Sequence, residues 1–159
     1  MAKEEKEKDS RKIIARNKKA LHDYFVIEAF EAGIALKGTE VKSCRDAKVS
    51  LAESFVRVEN GELLLHGAHI DVYKSSGYVT HDPTRPRKLL MHRREIARIA
   101  SKLAEKGLTM VPLSMYFLRG KAKVEVALVR GKKLYDKRES LKKKEHEREM
   151  RRATRRDYE

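Results

Sequence analysis

The sequence predicts a mainly β protein: a small closed antiparallel barrel of about six strands with two to three covering helices, followed by a basic C-terminal tail. Three observations point there. Aromatic and β-branched residues alternate in several runs of strand length. Asn60-Gly61 and the short Arg119-Gly120-Lys121 segment join neighbouring runs as hairpin turns do. The order strand, strand, short helix, hairpin, helix, hairpin lacks the alternation of strand and helix that a parallel sheet requires.

From Leu21, the run LHDYFVIEAFEAGIAL sets Tyr24, Val26 and Glu28 against Phe25, Ile27 and Ala29, so two strands are expected with Gly33 as a bulge or tight turn between them. TEVKSCRDAK follows, with Thr39 as N-cap of a short helix that lays Val41 and Cys44 over the sheet. Ser54 to Glu59 alternates again; Asn60-Gly61 accepts the positive φ angles of a type I′ turn, and ELLLHGAHI returns. YKSSGYVTHDPTRPRKLL reads as a polar loop. His92 to Lys106 carries Ile96, Ile99, Ala100 and Leu103 at helical spacing, with Gly107 placed to end the helix. LTMVPLSMYFL and AKVEVALV supply the last two strands, and Pro112 marks an edge or a bulge in the first of them.

A chain of 159 residues suits one compact body with extended ends. Charged residues make up 39% and gather at those ends, which divides the chain into a flexible N-terminus (1–12), a barrel (13–130) and a tail (131–159). In the tail, Glu139 with Lys143 and Glu147 with Arg151 attract at helical spacing, whereas Lys144 with Arg148 and Arg148 with Arg152 repel. With no apolar stripe to bury, the free tail is expected to be disordered and to become helical when RNA phosphates neutralise it.

The formal net charge of +14 and a sequence pI of about 9.9 attract polyanions, nucleic acid first. No apolar run approaches the ~18 residues of a spanning helix, and no apolar segment follows the basic start, so a cytoplasmic, membrane-free protein is expected. The single cysteine, Cys44, has no internal disulfide partner and reads as a buried thiol.

Nucleotide-binding, hydrolase-elbow and zinc-protease motifs are absent. His66 and His69 lack a third ligand, and ordinary surface or half-buried histidines are expected. Glu28, Glu31 and Glu40 are the carboxylates a metal-dependent RNA nuclease would use, a reading less favoured than a solvated acidic rim. The informative stretches are basic. DPTRPRKLLMHRRE strings Arg85, Arg87, Lys88, Arg93 and Arg94 along a proline-stiffened loop, a row suited to phosphates. RNKKALHDYF sets Arg16, Asn17, Lys18 and Lys19 beside His22 and Tyr24, joining cations to a ring that can stack on unpaired bases, while Phe25 is expected in the core.

Three blocks carry a resemblance. EAGIALKGTEVKS from Glu31 to Ser43, DPTRPRKLL from Asp82 to Leu90, and RGKKLYDKR from Arg130 to Arg138 together closely resemble the SsrA-binding protein family, also called small protein B. The resemblance implies an oligonucleotide-binding (OB-type) barrel, no cofactor and no catalysis. It implies binding of the tRNA-like domain of transfer-messenger RNA through Asn17, Lys18, His22, Tyr24, Glu31, Leu90 and His92, the last standing where many members have Asn and, like Asn, able to cap the following helix. The tail motif is matched by Gly131, Lys132, Lys133, Asp136, Lys137 and Arg138, with Tyr135 where His often stands. As partners it implies the ribosome, at the decoding centre of 16S ribosomal RNA and in the message channel, and elongation factor Tu through the charged RNA. The protein would act as a monomer that rescues stalled ribosomes. The rival reading is a ribosome-associated RNA-binding barrel with no part in rescue.

Overall fold

The computed structural model describes residues 11–74, 77, 81–105 and 107–156, the side chains of 134–136 and 156 excepted. Its elements run β1 (Lys12–Arg16), α1 (Lys18–Asp23), β2 (Tyr24–Ile34), α2 (Gly38–Arg45), β3 (Val49–Ser50), β4 (Phe55–Glu59), β5 (Glu62–His66), β6 (His69–Ile70), β7 (Arg87–Leu90), α3 (Arg93–Leu103), β8 (Leu108–Leu118), β9 (Lys121–Gly131) and α4 (Leu134–Arg156).

Six strands close an antiparallel ring in the order β8-β4-β5-β7-β2-β9, and β9 returns to β8. The long β8 gives one whole edge to β9, and shares the other between β4 at Met110 and β1 at Ser114 to Phe117. β3 and β6 form a separate two-stranded ribbon. Both hairpin turns use two residues in the left-handed region: Asn60 and Gly61 at φ 50° and 75°, Arg119 and Gly120 at φ 51° and 77°. Pro112 stands at a register shift in the β8–β9 ladder, the bulge its missing N–H favours.

Inward positions of the ring supply Leu63, Leu65, Leu89, Met110, Val124, Val126 and Leu128, all buried. α3 packs Ile96 and Ile99 against this core, and α2 packs Cys44 against it. Each fully buried Ile or Leu stabilises the fold by about 1.5–3 kcal/mol relative to exposure. A second, smaller cluster lies beneath α1, where Ala20 meets Val111, Ala127 and Val129, with Tyr24 and Leu113 beside them.

Several expectations need correction. β2 is one continuous strand: its bulge falls between Val26 and Glu28, and Gly33 pairs with both Leu90 and Lys123. What Gly33 supplies is space, since a Cβ there would stand 3.2 Å from the Leu90 Cβ. Leu21 to Asp23 belong to α1, and β1 lies in a segment whose charges hid two isoleucines. α2 starts at Gly38 behind Lys37, whose N–H donates to Glu40 Oε1 at 2.8 Å; Thr39 sits inside the helix and bonds His81 Nδ1 at 2.9 Å. Arg87–Leu90 is a strand rather than loop. The tail forms the helix α4, which contains no Gly or Pro and is rich in strong helix formers. The N-terminal segment expected to be flexible lies outside the described residues up to residue 10.

Candidate nucleic-acid interface

β2 alternates about the barrel wall, with Ala32 and Ile34 turned inward and Glu31 and Gly33 outward. Across from Gly33, Leu90 is 52% exposed. Glu31 is held in place: it accepts from the Tyr116 hydroxyl and from Arg11 Nη2 at 3.4 Å, while the Arg11 guanidinium lies 4.6 Å from the Tyr116 ring centroid. Burial, then the Glu31 carboxylate, pushes the Tyr116 hydroxyl well above its usual range, so it stays a proton donor. Glu31 thereby presents a fixed, partly exposed carboxylate beside an exposed leucine. Tyr116 and Arg11 escaped the sequence reading because the β2–β9 and β9–β8 pairings bring Tyr116 to Glu31, and the β1–β8 pairing brings Arg11 beside Tyr116.

Asn17 caps α1. Its Oδ1 accepts from the Ala20 N–H at 3.1 Å, its Nδ2 donates to the Pro112 carbonyl at 2.9 Å, and its N–H reaches the Leu113 carbonyl at 2.7 Å. At 4% exposure it tethers α1 to the β8 bulge. Lys18 and Lys19 are exposed on the helix it fixes, and Lys19 meets Glu53 at 2.8 Å in an open pair of little energetic weight. His22 Nδ1 lies 3.0 Å from Asp23 Oδ1. Tyr24 is half-buried against the small cluster, whereas Phe25, expected in the core, is 44% exposed beneath Lys132 Nζ at 5.1 Å.

The expected row of phosphate-binding cations is divided by the strand: Arg87 and Arg85 are drawn to Glu40, while Lys88, Arg93 and Arg94 stay exposed. Strand alternation turns Arg87 and Leu89 inward and Lys88 and Leu90 outward. Arg87 is completely buried; its guanidinium donates to Glu40 and to the carbonyls of Ala68 at 2.9 Å and Pro83 at 3.0 Å. Arg85 grips the other Glu40 oxygen. Burial would raise the Glu40 carboxyl, but the bonds from Arg85, the Lys37 N–H and Arg87 outweigh it and hold the group below its usual range. Lys88 remains exposed, paired with Glu62 at 3.0 Å. His92 occupies the N-cap position of α3 without a side-chain capping bond, contrary to expectation. Arg93 and Arg94 follow it, exposed.

Glu28 is engaged by Arg98 and Lys102, so Glu28, Glu31 and Glu40 are each committed to different cations. Among the described residues no group of three or more His, Cys, Asp or Glu is placed to hold a metal.

The tail leaves from the α1 end of this surface. Gly131 closes β9 opposite Tyr24, the Lys132 N–H donates to the Asp23 carbonyl at 2.8 Å, and Lys137 Nζ meets Asp23 Oδ1 at 3.2 Å. Lys133 and Arg138 are exposed; the side chains of Tyr135 and Asp136 lie outside the described residues.

A family model described as SmpB protein matches residues 14–156, from β1 to the last residue of α4. The chain belongs to the SmpB family. Its SmpB relatives include the SsrA-binding protein of Carboxydothermus hydrogenoformans, 56% identical over 92% of this chain and 99% of that protein. The SsrA-binding protein of Geobacter sulfurreducens is 56% identical over 91% of this chain and 94% of its own. Among solved structures, a chain from "tmRNA-SmpB: a journey to the center of the bacterial ribosome" superposes with a TM-score of 0.66 at 50% identity, covering 80% of this chain and 93% of that one. Barrel and tail helix both lie within the SmpB match.

Proposed function

We propose that the barrel binds the tRNA-like domain of transfer-messenger RNA and brings it to stalled ribosomes for trans-translation, while the tail tests whether the message channel is empty. Membership of the SmpB family is the observation that carries this reading. The geometry supplies a physical division of labour. Leu90 offers an apolar surface for a base or sugar, Glu31 an acceptor for a base amino group or a hydroxyl, and Lys18, Lys19 and Lys88 phosphate-neutralising charge. His22 and Tyr24 extend this face at α1, and His92 extends it at α3.

α4 carries ten Lys and Arg against five Asp and Glu. At about 1.5 Å per residue it reaches roughly 35 Å from its anchored base. Such a rod competes with message phosphates for one channel, so an occupied channel excludes it and an empty one admits it. Gly131, Lys132 and Lys133 lead into the rod, and Tyr135, Asp136, Lys137 and Arg138 form its first turns. The same reading makes the protein a non-enzymatic, cytoplasmic monomer that meets elongation factor Tu through the charged RNA.

The test is a chain ending at Lys133, which keeps β9 and the Lys132 contacts to Leu21, Asp23 and Phe25. It should bind the free RNA within about twofold of the full chain, because phosphate contacts on the barrel are untouched. It should also fail to tag stalled products. Equal loss of binding and tagging would overturn the division between barrel and tail.

A further inference from the structure

We infer that Tyr116 and Arg11 are positioning residues for Glu31: by holding its carboxylate oxygen Oε2 they leave Oε1 as an acceptor for RNA, selective for a base amino group or a ribose hydroxyl. The inference rests on the proposed binding of the tRNA-like domain for its ligand, but its geometry stands alone. The Tyr116 hydroxyl and Arg11 Nη2, the latter at 3.4 Å, both donate to Glu31 Oε2. Among the described residues none donates to Oε1, and the Glu31 side chain is 38% exposed. One oxygen is therefore anchored while the other keeps its lone pairs for a ligand.

The sheet explains why Glu31 needs holding. It pairs in register with Glu125 of β9, and like charges directly opposite each other repel, so an unheld Glu31 would turn away. Tyr116 stands one row along: Gly33 pairs with Lys123, and Lys123 with Tyr116 of β8, from which the hydroxyl reaches across β9 to Oε2. The Tyr116 residue is only 1% exposed, with the Arg11 guanidinium 4.6 Å from its ring centre. Burial denies its hydroxyl a water partner, so giving up the carboxylate would leave a buried donor unsatisfied. Arg11 adds a counter-charge beside Oε2, which lessens the repulsion that Glu31 exerts on a polyanion.

This arrangement sets what Glu31 can read. A carboxylate accepts hydrogen bonds and donates none. A phosphate, an acceptor of the same charge, is refused, whereas the amino groups of guanine, adenine and cytosine and the 2′-hydroxyl are donors. Leu90 pairs with Gly33, two residues along β2 from Glu31, and its exposed side chain gives the same nucleotide an apolar wall. Because Glu31 is ordered in advance, the RNA is spared the loss of that side chain's rotamer freedom on binding. Reading of a base or sugar thus falls to Glu31, and neutralisation of phosphates to the exposed lysines.

The experiment measures the affinity of the full chain for a transcript of the tRNA-like domain at several salt concentrations, each variant being compared where it is fully folded. Tyr116→Phe keeps the ring and removes the donor. It should weaken binding about fivefold, because Glu31 must then be ordered in the complex. The slope of log Kd against log salt should stay as in the parent, since no phosphate contact is lost. Arg11→Lys keeps the charge and loses the planar stack, and should weaken binding about two- to threefold. In a Glu31→Ala chain, adding Tyr116→Phe should change affinity by less than about twofold, because Tyr116 acts through Glu31. On the free protein, side-chain NMR couplings should show Glu31 in one rotamer in the parent chain and averaged among several in Tyr116→Phe. Unchanged binding by Tyr116→Phe, an undiminished loss when it is added to Glu31→Ala, an altered salt slope, or a single Glu31 rotamer in both chains overturns the inference. A transcript that fails to bind even the parent chain overturns the RNA reading instead, and the rotamers then decide whether Tyr116 holds Glu31.

Discussion

Replacing Glu40 by Gln tests whether the basic stretch before α3 serves the fold or the ligand. The carboxylate is fully buried and is gripped by Arg85 and by the equally buried Arg87. Gln keeps the shape and removes the charge, leaving the Arg87 guanidinium in the interior without its counter-ion. Breaking a buried pair from one side costs about 3–5 kcal/mol, whereas replacing both partners by apolar residues is often neutral or stabilising by about 1–4 kcal/mol. Urea unfolding followed by far-ultraviolet dichroism should therefore show Glu40→Gln losing about 3 kcal/mol or more, and Glu40→Leu with Arg87→Met recovering most of it. The pH dependence has a definite sign. Because the folded carboxyl titrates below its ordinary value of 4.5, its contribution is present above that value and is lost as pH falls through the lower folded one. Glu40→Gln should accordingly lose less stability than the parent on acidification. The folded double variant should bind the tRNA-like RNA as the parent does. If it binds tenfold more weakly while remaining equally stable, Arg87 acts on RNA after all and the structural assignment is wrong.

Asn17→Ala removes the α1 cap and leaves the Pro112 carbonyl without its donor, so a loss of about 1–3 kcal/mol is expected by thermal unfolding. Any weakening of RNA binding should then vanish under conditions where the variant is fully folded. Leu90→Ala, at an exposed site, should change stability by less than about 0.5 kcal/mol and yet weaken RNA binding. Gly33→Val should weaken RNA binding too, by forcing Leu90 from its place; binding unaffected in both variants would remove this part of the face. Burial pushes the Cys44 thiol up to about 12, so a maleimide probe at pH 7–8 should label the native chain only as fast as it unfolds. Rapid stoichiometric labelling of the native state would contradict that burial.

Local signals determined much of this protein. Asn60-Gly61 marked its hairpin, Pro112 its bulge, and the spacing of Ile96, Ile99 and Leu103 its α3 helix, because turn chemistry and hydrophobic period act within a few residues. The basic tail and the family blocks were legible for the same reason. Tertiary pairing decided which charged groups can meet a ligand. Arg87 and Lys88 look alike in the sequence, yet alternation along β7, set by its pairing with β5 and β2, sends one inward to Glu40 and the other to solvent. It also sends Leu90 outward against Gly33, so one short strand buries an arginine and exposes a leucine. Tyr116 reaches Glu31 from 85 residues away, and Lys137 reaches Asp23 only because the end of β9 pairs with the start of β2. Which cation is buried and which carboxylate is fixed depends on neighbours remote in the chain, and the physical reason is that the ring must close before those neighbours exist.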